Sequence, residues 1–154
     1  MRVALLANLK KNAPHWLGMS PDHWDDLDSE ATIEAIMAAL RTNGHDVTFL
    51  EGNTELPQKL TKLQPDICFN ICEGHIGDSR ESHVPALLEM LRLPYTGSQV
   101  LTLALTLDKP MTKRILTYHD LPTPAFQVFE RVNEPLDPQM RFPIFVKPSR
   151  EGTG

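Results

Sequence analysis

Arg2-Val3-Ala4-Leu5-Leu6-Ala7-Asn8 is apolar at nearly every position. A strand with one wet face alternates apolar and polar residues. A run without alternation is buried on both faces, as in parallel sheets covered by helices above and below. The chain supplies such helices. Asp28 or Ser29 is placed to cap one, with Glu30 in its first turn. Ile33, Ile36, Met37 and Leu40 fall at i, i+3, i+4 and i+7 and make one apolar stripe, closed by Gly44. Asp46-Val47-Thr48-Phe49-Leu50 predicts a second strand. Leu56, Leu60 and Leu63 mark a weaker second helix with Pro57 in its first turn and Pro65 at its end, and Asp66-Ile67-Cys68-Phe69-Asn70-Ile71 predicts a third strand. Strand, helix, strand, helix, strand is the doubly wound α/β pattern.

The 154 residues suffice for one ordinary domain with a real core. A 41% hydrophobic and 23% charged composition describes a globular chain, not a disordered one. The net charge of −5 gives no reason to expect nucleic acid as a partner. No apolar run approaches the length of a membrane span. Asn8 and Lys10-Lys11 follow the first strand too soon for a signal peptide, so the expected location is the cytoplasm. Cys68 and Cys72 are neither a redox C-x-x-C nor half of a zinc site, and read as free thiols. The six histidines form no H-x-x-x-H pair.

In a doubly wound sheet, ligands collect at the carboxyl ends of the strands. Two stretches there stand out. Leu9 to Leu27 is a long irregular excursion anchored by Trp16 and Trp24. Cys72 to Ser82 is polar, holds two glycines, three acids, Arg80 and His75, and leads into a helix bearing Val84, Leu87, Leu88 and Leu91. Further on, Ser98 is expected to cap a short helix, Val100 to Leu107. Asp108 is expected to cap the next, whose first residue is Lys109. A lysine at that end opposes the helix dipole, which suggests an anion nearby. Phe126 to Glu130 and Ile144-Phe145-Val146 predict two more strands. The second runs into Lys147-Pro148-Ser149-Arg150-Glu151-Gly152-Thr153-Gly154, a small-residue loop suited to holding phosphate, although a plain surface loop reads the same way. A domain boundary is expected near 107, dividing 1–107 from 108–154.

Four blocks in order carry a resemblance: Leu93-Pro94-Tyr95-Thr96-Gly97-Ser98, Leu105 to Lys113, Leu121-Pro122-Thr123-Pro124, and Phe145 to Gly152. Together they resemble the D-alanine–D-alanine ligases of the ATP-grasp superfamily. The resemblance implies a Rossmann-like pre-ATP-grasp domain with a parallel sheet, followed by the start of an ATP-grasp domain. It implies ATP and magnesium as cofactors, with the metal ligands expected beyond Gly154. It also implies D-alanine or another amino acid as substrate and a place in peptidoglycan biosynthesis. In that chemistry ATP turns a carboxylate into an acyl phosphate, which an amine then attacks. Lys109 and Lys147 would hold the phosphates. Ser149, Arg150, Glu151, Gly152, Thr153 and Gly154 would begin the closing loop. Glu30 and His75 would serve the first substrate, with the acidic partner of His75 open between Asp78 and Glu81.

The family's glycine-rich turn after the first strand is replaced here by Asn8 to Leu27. Specificity for other amino acids or small acids is therefore an alternative, as is a non-catalytic binding module. The 154 residues are expected to be the N-terminal part of a ligase, inactive alone, with a homodimer as one expected assembly and neither nucleic acid nor membrane as partner.

Overall fold

The computed structural model describes residues 1–152. Three parallel strands, β1 (Arg2–Ala7), β2 (Asp46–Glu51) and β3 (Ile67–Asn70), stand in the order β2-β1-β3. β1 is central because it is the run with no polar interruption. Val3 pairs with both Val47 and Ile67, and Leu5 with both Phe49 and Phe69. The period of two sends Val3, Leu5 and Ala7 to one face and Ala4 and Leu6 to the other.

Each face has its own core. On the first, helix α1 (Glu30–Thr42) packs Ile33 and Met37 against Val3, Leu5 and Val47. On the second, α2 (Leu56–Leu63) and α3 (His83–Met90) bring Leu56, Leu60, Val84 and Leu88 against Ala4, Leu6 and Cys68. The cap of α1 is Ser29, whose Oγ accepts the Thr32 N–H at 3.1 Å. Tyr95 adds a lone bridge beside β3, with the Cys68 N–H donating to the Pro94 carbonyl at 2.8 Å. Cys68 and Cys72 are free and buried.

The excursion after β1 is more ordered than its composition suggests. A 3-10 turn (Lys10–Asn12) and a bridge between Leu9 and Asp28 frame it. Ala13, Trp24 and Leu27 form a small separate core, and Trp24 Nε1–H donates to the Pro14 carbonyl at 2.8 Å. Burying an indole removes roughly 150–250 Å² from water, on the order of 4 kcal/mol of favourable transfer. That anchors a segment with little regular hydrogen bonding.

Three expectations need correction. Ser98 does not cap α4 (Val100–Leu107). The N-cap is Gln99, whose side chain makes no capping hydrogen bond. Phe126 to Glu130 and Ile144 to Val146 are not strands. An extended segment becomes a strand only when another pairs with it, and neither finds a partner among the described residues. Phe145 and Val146 are accordingly 87% and 86% exposed. Helix α5 (Lys109–Tyr118) does begin as expected, with Asp108 Oδ1 accepting the Met111 N–H at 2.8 Å. Among the described residues no helix is long and apolar enough to cross a membrane.

Candidate functional site

The sheet reverses its order between β1 and β3, so a crevice opens at their carboxyl ends. Asn8 sits in it, buried, as the first residue past β1. Its Nδ2–H donates to the Gly52 carbonyl at 2.9 Å, and its Oδ1 accepts the Gly74 N–H at 2.9 Å. One side chain thus ties the connection after β2 to the loop after β3. Gly74 has φ +72°, and a Cβ there would lie 2.7 Å from the Arg80 carbonyl oxygen. The loop can fold back on itself only because that atom is missing.

The fold-back buries Arg80. Its Nη2 donates to Asp26 Oδ2 at 2.8 Å, and the two side chains are only 5% and 7% exposed. Nη1 donates to the Arg150 carbonyl at 2.8 Å, and Glu151 Oε2 lies 3.5 Å from Nη2. A buried guanidinium therefore joins the excursion, the loop after β3 and the last described segment. The pair is incomplete. Among the described residues, Arg80 Nε and Asp26 Oδ1 are buried without a partner, as is His75 Nε2. His75 packs edge-on to Trp24 at 5.5 Å between ring centres. Burial, chiefly, holds its pKa below the ordinary imidazole value. Glu73, beside it in the loop, is pushed up to about 7. Burial is the main cause, followed by the charges of Glu81 and Asp26.

The helix start at Lys109 meets the final segment directly. The Lys109 N–H donates to the Ser149 carbonyl at 3.0 Å, and its ammonium donates to the Glu151 carbonyl. Burial first, and then the positive charge of Lys147, lower the pKa of Lys109. Arg150 clamps the same corner: Nε donates to Asp108 Oδ2 at 2.9 Å and Nη1 to Asp78 Oδ2 at 2.6 Å. Gly152 passes so close to Asp26 that a Cβ would lie 2.5 Å from Oδ2.

Of the residues singled out from sequence, His75, Lys109, Ser149, Arg150, Glu151 and Gly152 come together at this corner. Lys147 is exposed and near enough to act on Lys109. Thr153 and Gly154 lie outside the described residues. Glu30 is elsewhere: it pairs with Lys11 and lines a separate depression with Leu9, Asp28 and Ser29. Asp78 is exposed and bound to Arg150, whereas Glu81 acts on Glu73, so neither acid is paired with His75. Sequence reading missed Asp26, Glu73 and Asp108 as members of the cluster. Only the density of charge from Glu73 to Glu81 hinted at it. Among the described residues no group of three or more His, Cys, Asp or Glu could hold a metal ion.

No family model matches the chain. Curated relatives do. A D-alanine–D-alanine ligase of Syntrophotalea carbinolica is 38% identical over 79% of this chain and 39% of its own length. That of Aquifex aeolicus is 39% identical over 79% of this chain and 42% of its own. An uncharacterised protein of Sinorhizobium fredii is 38% identical over 77% of the chain. The chain is D-alanine–D-alanine ligase-like, corresponding to the N-terminal part of such a ligase. It spans about two fifths of the length of the curated ligases it matches. The fold agrees: the crystal structure of the Bacillus anthracis D-alanine–D-alanine ligase complexed with ATP superposes with a TM-score of 0.66. That match is 23% identical and covers 99% of this chain and 49% of that one.

Proposed function

We propose that the protein to which this chain belongs is an ATP-dependent carboxylate–amine ligase of the D-alanine–D-alanine ligase type. It would activate one amino acid as its acyl phosphate and join it to the amine of a second, in the cytoplasm and in peptidoglycan biosynthesis. One observation carries the reading. Lys109, the first residue of α5, donates its N–H to the Ser149 carbonyl at 3.0 Å and its ammonium to the Glu151 carbonyl, so it stands against the segment that also carries Lys147. Two cations held near one another fit a polyanion such as a triphosphate. Residues 1–107 would form the substrate-side domain and 108–154 the start of the nucleotide-binding domain.

In this reading Lys109 and Lys147 hold phosphate oxygens. The backbone from Ser149 to Gly152 shields the reacting corner from water, which would otherwise hydrolyse the activated acid. His75 and Arg80 line the substrate side of the same corner. The described residues offer no cluster of three or more His, Cys, Asp or Glu that could hold magnesium.

The test is phosphate release by the protein encoded by the complete reading frame. Release should require both ATP and an amino acid, and Lys109→Ala should lower it on the order of 100-fold. Release that ignores added amino acids would overturn the proposal.

A further inference from the structure

The backbone ladders of the sheet stop just short of Asn8. On the β2 side the Gly52 N–H donates to the Ala7 carbonyl at 2.9 Å, and on the β3 side the Ile71 N–H donates to the Leu6 carbonyl at 2.9 Å. Past these rungs the chains diverge, and the side chain of Asn8 takes over. Asn8 is 1% exposed, and its amide reaches both neighbours, with Nδ2–H on the Gly52 carbonyl and Oδ1 on the Gly74 N–H. One partner is an acceptor and the other a donor, which fixes which way the amide points. The backbone carbonyl of Asn8 accepts the Asp28 N–H at 3.1 Å, where the excursion returns to α1. The connections after β1, β2 and β3 therefore all hang from one residue.

Both glycines are suited to that approach. A Cβ on Gly52 would lie 2.7 Å from Cys72 Sγ and 3.1 Å from Asn8 Nδ2. Gly74 lies against the Arg80 carbonyl, and the residue after it is His75, whose ring packs on Trp24. His75 and Arg80 line a cleft between the excursion and the loop after β3, together with Trp16 and His23. The height of Gly74 over the sheet edge thus sets where both of them stand. Lys109 hangs on the other side of the corner, from Ser149 and Glu151.

We infer that Asn8 is a positioning residue: through Gly74 it fixes His75 at the cleft, and so governs the binding of the amino acid more than that of the nucleotide. The identity of those ligands rests on the ligase reading, whereas the placement of His75 does not.

The chain carries its own reporter. Burial, chiefly, holds the His75 imidazole below its ordinary pKa, and the charges of Glu51, Arg80 and Asp26 act on it next. Asn8→Leu removes both amide bonds without adding charge. Asn8→Ala removes them and leaves room for water, and it serves where the leucine variant does not fold. Proton–carbon NMR of the imidazoles across pH follows the site, with the His75 signal identified by its loss in His75→Gln. In either Asn8 variant the His75 midpoint should rise by about half a pH unit or more as the ring meets water. Met37→Ala opens the core under α1 and should lower stability while leaving that midpoint in place. An unmoved midpoint in the Asn8 variants, or an equal shift in Met37→Ala, would overturn the inference.

In the protein encoded by the complete reading frame, Asn8→Ala should raise the KM for the amino acid in phosphate release about tenfold and keep that for ATP within about twofold. Equal rises in both would overturn the inference and leave the ligase reading standing. Release that ignores amino acids would remove that reading, and the His75 midpoint would still decide whether Asn8 positions the loop.

Discussion

Arg80 and Asp26 are fifty-four residues apart in sequence and 2.8 Å apart in space, with both side chains buried. Taking two charges out of water is costly, and their attraction repays it only with good geometry. Removing one partner leaves the other buried and alone. Arg80→Met should therefore destabilise the chain by about 3–5 kcal/mol. The double variant Arg80→Met with Asp26→Leu should recover most of that loss. Urea denaturation of the four species in a double-mutant cycle measures the coupling. A single variant as stable as the parent would refute the pairing as a structural tie.

Glu73 gives stability a pH dependence. Its folded pKa, about 7, lies above the ordinary carboxylate value of 4.5, mainly because burial disfavours the charged form. A raised pKa means the native state binds a proton that the unfolded chain has lost. This contribution is full below about pH 4.5 and disappears as pH rises through about 7. Glu73→Gln should flatten the fall in stability between those values, by comparison with the parent at each pH. Identical pH profiles for the two proteins would contradict it.

Gly74 and Gly44 separate backbone strain from steric conflict. Both have positive φ, +72° and +77°, but a Cβ at Gly44 meets nothing within 4 Å, whereas one at Gly74 strikes the Arg80 carbonyl. Gly44→Ala should cost about 1 kcal/mol, the left-handed penalty alone. Gly74→Ala should cost clearly more, because Arg80 and its partners must move. Melting temperatures of the two variants rank them, and the reverse order would show that the loop yields easily.

The cap of α5 carries two jobs on one carboxylate. Asp108 Oδ1 holds the Met111 N–H and Oδ2 holds Arg150. The backbone hydrogen bond, and then Arg150, keep its pKa below the usual value. Asp108→Ala should lose about 1 kcal/mol through the cap. Asp108→Asn should keep most of the cap while weakening the hold on Arg150. Denaturation reads the first effect. Faster trypsin cleavage after Arg150 in both variants reads the second, and unchanged cleavage would exclude a clamp.

The two thiols should be inert in the native chain. Burial pushes Cys68 up to about 11 and Cys72 higher still, so almost no thiolate exists near pH 8. Mass spectrometry after iodoacetamide should find no modification until denaturant is added. Labelling of the folded chain would mean that the second core opens readily.

The doubly wound sheet was legible because it rests on local period. Arg2 to Asn8 without alternation, and Ile33, Ile36, Met37 and Leu40 at helical spacing, each bury a face whatever lies beyond. The expected strands at Phe126 to Glu130 and Ile144 to Val146 failed for the opposite reason. Strand identity belongs to a pair, and composition cannot supply the partner. The corner at the end of the sheet divides the same way. Lys109, His75 and the segment from Ser149 were visible as residue types in suggestive places. That Asp26 reaches Arg80, that Trp16 and His23 wall the cleft, and that Glu30 faces elsewhere depended on how an irregular excursion folds over the strand ends. Spacing along the chain specifies repeating backbone hydrogen bonds. It does not specify which distant side chains meet where those repeats stop, and there only the three-dimensional packing decides.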